Sequence, residues 1–98
     1  MMNVCTFVGR FRRCFGTVED GLFILITVYE RYTNSKGEKK IEELPVCLKA
    51  FSTAATYIEK NAKRGDTIAA RCVYCIPDWR NASEDHYFRI NEFEIIKD

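Results

Sequence analysis

Apolar residues recur at convincing helical spacing in one place only, residues 53–63 (TAATYIEKNAK), where Ala54, Ala55, Ile58 and Ala62 form a stripe. A hydroxyl of Ser52 or Thr53 is expected to cap the start of this helix, and Gly65 to end it in a left-handed conformation. The other patterned stretches read as strands. With one helix among strands, the fold class is read as all-β. The 98 residues suffice for one domain, 1–98, with one modest core.

Residues 44–51 (LPVCLKAF) show the alternation most plainly. Leu44, Val46, Leu48 and Ala50 make an apolar face, while Pro45, Cys47, Lys49 and Phe51 make the other. With the first face in a core, Lys49 and Phe51 look outward together. A cation beside an exposed ring suits a nucleic-acid strand, because the ring stacks on a base and the ammonium meets a phosphate. The competing reading turns Phe51 inward where the strand ends.

Before this strand, residues 3–11 (NVCTFVGRF) read as the first strand, with Gly9 marking a bulge or bend. The run continues as RFRRCFGTV, in which Arg10, Arg12, Phe11 and Phe15 either line a groove or form a solvated edge with two core anchors. Asp20-Gly21 is a hairpin-turn dipeptide. Residues 22–29 (LFILITVY) form a central, largely buried strand with Phe23, Leu25, Thr27 and Tyr29 on one face. The polar stretch 30–43 reads as a long hairpin arm that turns at Asn34, Ser35 and Gly37 and carries Arg31, Tyr32, Lys36, Lys39 and Lys40. That composition fits an arm gripping a nucleic-acid strand, or an ordinary soluble loop.

After the helix, residues 67–76 form the fourth strand, ended by Pro77. A loop over 77–86 contains the sole tryptophan, Trp79, next to Arg80. Residues 87–96 (YFRINEFEII) form the fifth strand, whose phase slips between Ile90 and Phe93 and implies a bulge near Asn91 or Glu92.

Net charge is only +1, so gross charge does not call for a nucleic acid. Distribution leaves room for one: Arg10, Arg12 and Arg13 cluster, as do Lys36, Lys39 and Lys40. The longest apolar run, 22–26, is far too short to span a bilayer, and the N-terminus lacks a basic-then-apolar signal pattern, so a cytoplasmic protein without membrane attachment is expected. Five cysteines are an odd number, which argues against a disulfide framework. Cys72 and Cys75 would lie on opposite faces of a strand, and His86 is the only histidine, so buried free thiols are expected rather than zinc or redox chemistry. There is no phosphate-cradling glycine loop, nucleophile elbow or metal-ligand set, so neither an enzyme nor a cofactor is expected.

Three strands, a helix and two more strands follow the order of the OB-fold, a five-stranded Greek-key barrel with one helix between strands 3 and 4. Such barrels bind oligonucleotides on one face. The residues carry the likeness further. NVCTFVGRF resembles the N-x-V-x-L-V-G-R-L opening of the bacterial-type single-stranded DNA-binding protein (SSB) family through Asn3, Phe7, Val8, Gly9, Arg10 and Phe11. Ala62-Lys63-Arg64-Gly65-Asp66 resembles that family's Y-L-K-K-G-D turn, with alanine for leucine and Asn61 for tyrosine. Phe51 falls where the family carries a base-stacking phenylalanine or tryptophan, and Trp79 on its stacking tryptophan. Two positions depart from the pattern. The aromatic that opens the family's arm aligns near Arg31, between Tyr29 and Tyr32, and the one that opens its third strand aligns at Leu44–Pro45, where no ring remains. The family's acidic, phenylalanine-ended tail is not among these 98 residues, which fits a truncated piece of such a protein, a phage or mobile-element version, or a tailless relative such as primosomal replication protein N.

The resemblance implies binding of single-stranded DNA with little sequence preference, in replication, recombination or repair. Phe51 and Trp79 would stack bases, helped by Tyr32 and Tyr29. Lys49, Arg10, Arg12, Arg31, Lys39, Arg71 and Arg80 would neutralise phosphates. It also implies a homo-oligomer, a dimer or tetramer built through the first strand, with replication proteins as further partners. Two other readings stand beside it: an OB barrel whose aromatic patch meets a protein, and an RNA-binding domain.

Overall fold

The first strand, β1 (Cys5–Thr17), pairs with two partners, and that double pairing closes the sheet. The computed structural model describes residues 3–76 and 86–98. After β1 come β2 (Gly21–Thr33), β3 (Lys39–Ala50), α1 (Ser52–Asn61), β4 (Thr67–Cys75) and β5 (Tyr87–Ile96). β1 pairs with β4 from Cys5 to Arg10 and with β2 from Arg10 to Thr17. Around the closed barrel the order is β1-β2-β3-β5-β4, antiparallel except where β3 lies beside β5. The architecture is the five-stranded OB barrel that the element order predicts.

The bend in β1 has two parts. A Cβ at Gly9 would stand 2.6 Å from the Thr27 carbonyl oxygen, so only glycine lets β1 approach β2 this closely. The bulge itself is not at Gly9, as the sequence suggests, but at Arg12, where the register slips between Phe11 and Arg13. One extra residue reverses the inward–outward phase. Phe11 is therefore in the core, while Arg13 and Phe15 point outward. β5 carries the bulge expected there: Arg71 faces Glu92 and Cys72 faces Ile90, which leaves Asn91 as the extra residue.

Leu22, Ile24 and Ile26 of β2, Leu48 and Ala50 of β3, and Ile68 and Cys72 of β4 are fully buried, and Ala55 and Ile58 of α1 join them. The inward set of β3 is the predicted apolar face.

The ends of the helix differ from expectation. No side chain caps its start: Phe51 is the extended residue before it, and Ser52 enters it at φ +54°. The helix ends at Asn61, where the Ala62 N–H donates to the Ile58 carbonyl at 2.9 Å. Gly65 (φ +98°) serves instead the following turn, in which the Asp66 N–H donates to the Lys63 carbonyl at 3.0 Å. Asp66 is buried there and accepts from the Lys63 N–H (2.9 Å), the Lys97 ammonium (2.8 Å) and the Asp98 N–H (3.2 Å), tying the end of α1 to the end of β5.

The polar stretch 30–43 is mostly paired strand. β2 and β3 stay in register out to Thr33 and Lys39, and the turn is confined to 34–38, where Asn34 Oδ1 accepts from the N–H groups of Lys36 (3.0 Å) and Glu38 (2.9 Å). Nearly every residue of the arm is exposed, so it has no buried face to impose an alternation. Burial of the thiols is also uneven, contrary to expectation. Cys72 alone is buried; Cys5, Cys14 and Cys75 are half-buried; Cys47, on the outer face of β3, is exposed.

Candidate nucleic-acid interface

Register on the outer face sets one row of side chains across four strands. Phe15 of β1 lies opposite Phe23 of β2, Phe23 opposite Lys49 of β3, and Lys49 opposite Arg89 of β5. A Cβ at Gly21 would lie 2.4 Å from Lys49 Cε and 3.0 Å from Phe51 Cε1, so glycine there leaves room for both side chains. The Lys49 ammonium sits among three rings, 5.0 Å from the centroid of Phe23, 5.3 Å from Phe51 and 4.8 Å from Tyr87. Phe51 and Tyr87 tilt towards each other with centroids 6.1 Å apart. Phe15 and Phe23 stack at 5.1 Å with their planes 12° apart, and the Arg13 guanidinium lies 5.1 Å from the Phe15 ring.

Of the residues that the sequence nominates, Phe51 and Lys49 thus stand together. Arg31, Tyr32 and Lys39 gather at a separate groove on the arm, with Lys40 and Ile41. Arg31 and Lys39 continue the outer face, whereas Tyr32 is on the opposite face, across from Lys40. Tyr29 lies between the two groups, paired with Glu43. Arg12 Nε donates to Thr27 Oγ1 at 2.7 Å, and its Nη2 lies 3.4 Å from the Tyr29 hydroxyl. Arg10 donates to the Gly65 carbonyl (3.3 Å) and lies 4.0 Å from the Asp98 carboxylate. Arg71 is 3.7 Å from Glu92, on the outer face of β4. Trp79 and Arg80 lie outside the described residues, as does most of the expected loop over 77–86.

Sequence reasoning did not nominate Phe23, Tyr87 or Arg13, and it gave Phe15 only as one of two alternatives, a groove residue or a core anchor. The signal for Phe23 was present: with Leu22, Ile24 and Ile26 facing inward, it had to face outward. Phe15 and Arg13 need the bulge at Arg12 to be known first, and Tyr87 needs the parallel β3–β5 pairing, which links segments far apart in sequence.

The cluster holds rings and ammonium or guanidinium groups but no base or nucleophile set for catalysis. It can stack planar rings and attract anions. Among the described residues, no three His, Cys, Asp or Glu side chains come together as a metal site, and no helix is long and apolar enough to cross a membrane.

No family model and no curated protein matches this sequence. Solved structures do match. A deletion mutant of the single-stranded DNA-binding protein from Thermus aquaticus superposes with TM-score 0.80 at 12% identity, covering 98% of this chain and 51% of that one. The chain therefore spans about half the length of the Thermus protein. Plasmodium falciparum SSB, solved in complex with single-stranded DNA, matches with TM-score 0.69 at 13% identity over 99% of this chain and 95% of that one. The small single-stranded DNA-binding protein from Streptomyces coelicolor gives 0.64 at 13%, over 94% and 92%. At 12–13% identity the likeness is one of fold: this chain has the OB barrel that these single-stranded DNA-binding proteins have.

Proposed function

We propose that this protein binds single-stranded DNA with little sequence preference, without catalysis, in DNA replication, recombination or repair. The observation that carries the reading is the Lys49 ammonium among the rings of Phe23, Phe51 and Tyr87 on the outer face of an OB barrel. Bases stack on the Phe51 side of the cluster, and Lys49 moves from the rings to a phosphate. Stacking tolerates any base because every base has a π-face. The arm groove of Arg31, Tyr32 and Lys39 gives a longer strand a second contact, and Trp79 and Arg80 belong to the same reading through the family resemblance. Arg10, Arg12 and Arg71 contribute less, because each is engaged within the protein. The fold likeness to proteins named for this activity supports the same conclusion.

The reading extends to a cytoplasmic homo-oligomer, a dimer or tetramer, through the outer face of β1, where Val8, and Val4 just before the strand, are exposed. Other replication proteins are its further partners.

The test is fluorescence anisotropy of labelled oligo-dT at low and high salt. Wild-type protein binds at low salt and loses affinity steeply as salt rises, through counterion release. Phe51→Ala weakens binding by about 1–3 kcal/mol. No binding at low salt would reject the reading and favour a barrel whose aromatic patch meets a protein.

A further inference from the structure

Arg13, Phe15, Phe23 and Lys49 form a column of cation, ring, ring and cation that crosses β1, β2 and β3 on the outer face. The barrel core does not require it: Phe11 and Phe7 supply the rings that β1 packs inward, and Phe15 is 40% exposed. The bulge at Arg12 is what brings Phe15 outward and into phase with Phe23. Among the described residues, neither Arg13 nor Lys49 has a carboxylate partner, whereas Arg10, Lys40, Arg71 and Lys97 each have one. Among the described residues, the cations at this column are matched to rings rather than to carboxylates, an arrangement that can accept an anion.

We infer that the column is a second base-stacking position, with Arg13 as its phosphate contact. A single strand leaving the Phe51–Tyr87 end of the cluster then runs across the sheet, over Phe23 and Phe15. The proposal rests on the single-strand reading above and adds a path to it. Two chemistries side by side, flat rings flanked by cations, match a polymer of planar bases joined by anionic links. Charge decides the direction. Towards the arm the outer face first presents Glu43, opposite Tyr29, a carboxylate that repels phosphate. Across the sheet the outward side chains are Lys49, Phe23, Phe15, Arg13, Leu25 and Cys47, with no carboxylate among them.

The test uses oligo-dT long enough to cover one OB domain, about 4–16 nucleotides, with three variants. Phe15→Leu keeps an apolar side chain and removes the ring. Arg13→Gln removes one charge. Phe51→Ala reports on the underlying reading. Expected results are a loss of about five-fold or more in affinity for Phe15→Leu, and for Arg13→Gln a slope of log K against log salt that is shallower by about 0.7. Unchanged melting temperatures show that both proteins are folded; if Phe15→Leu lowers stability, Arg13→Gln carries the test alone. Affinity and slope left at wild-type values in both, with Phe51→Ala still impaired, would overturn the path while leaving single-strand binding in place. A slope change in Arg31→Gln but not in Arg13→Gln would route the strand along the arm and overturn it likewise. Failure of the wild-type protein to bind would remove both.

Discussion

Arg12 donates from Nε to Thr27 Oγ1 at 2.7 Å, and it does so from the one extra residue in the β1–β2 ladder. The bond locks the bulge and therefore the phase that sends Phe11 in and Phe15 out. Arg12→Met keeps the aliphatic stem and removes the guanidinium. Loss of a charge-assisted bond of this kind is expected to lower stability by about 1–2 kcal/mol, read by urea denaturation. The salt slope of oligo-dT binding should stay the same, because Arg12 is held by Thr27. A slope shallower by about 0.7 would instead place Arg12 on a phosphate.

Ser52 enters the helix at φ +54°, in the left-handed region. That conformation costs an L-residue about 1–2 kcal/mol, whereas glycine adopts it freely but loses about 0.5–1 kcal/mol more backbone entropy on folding. Ser52→Gly should therefore stabilise the protein by about 0.5–1 kcal/mol, a rise of about 2–5 °C in Tm. The Ser52 hydroxyl caps nothing, so no bond is lost. A lower Tm would show that Ser52 makes a contact that offsets its strain.

The barrel was legible in the sequence because its inner face alternates. Leu22, Ile24, Ile26, Leu48, Ala50 and Ile68 are all buried where period two puts them, and the slip in β5 showed as a broken alternation around Asn91. The bulge in β1 did not show, because Arg12 sits among arginines and aromatics that fit either phase. The strand character of the arm was hidden for a related reason: with solvent on both faces, pairing leaves no hydrophobic trace. For the candidate site, Lys49 and Phe51 could be paired from one strand alone. The other two rings around Lys49, Phe23 and Tyr87, come from β2 and β5 and depend on register between strands, which local pattern does not encode.

The Lys97 ammonium, bonded to the Asp66 carboxylate, together with the N–H groups of Lys63 and Asp98, holds the Asp66 pKa below its ordinary value of 3.8. A carboxylate with a lowered folded-state pKa adds stability that is fully present above the unfolded value and is lost as pH falls through the folded one. Asp66→Asn should therefore lower Tm at neutral pH, and the gap to wild type should narrow as pH falls below 3.8. Thermal melts of both proteins from neutral to acid pH check this. A gap that stays constant with pH would mean that the carboxylate charge is not what ties α1 to β5.

Cys47 lies two residues before Lys49, on the outer face of β3 and opposite Leu25, beside the path inferred across the sheet. Cys72 gives an internal reference. It is buried, and burial, with a smaller contribution from Cys5, pushes its thiol up to about 11. At pH 8 the reactive form of Cys72 is scarce as well as inaccessible, because the thiolate is the nucleophile. Alkylation with N-ethylmaleimide, followed by peptide mass spectrometry, should label Cys47 readily and leave Cys72 unmodified. Saturating oligo-dT should slow labelling of Cys47 several-fold while leaving the rate at half-buried Cys14 unchanged, since Cys14 packs against the core on the other side of β1. Equal slowing at both sites would indicate a general tightening of the barrel. A Cys47 rate unaffected by bound DNA would place the strand on another face and withdraw the role assigned to Lys49 and its rings.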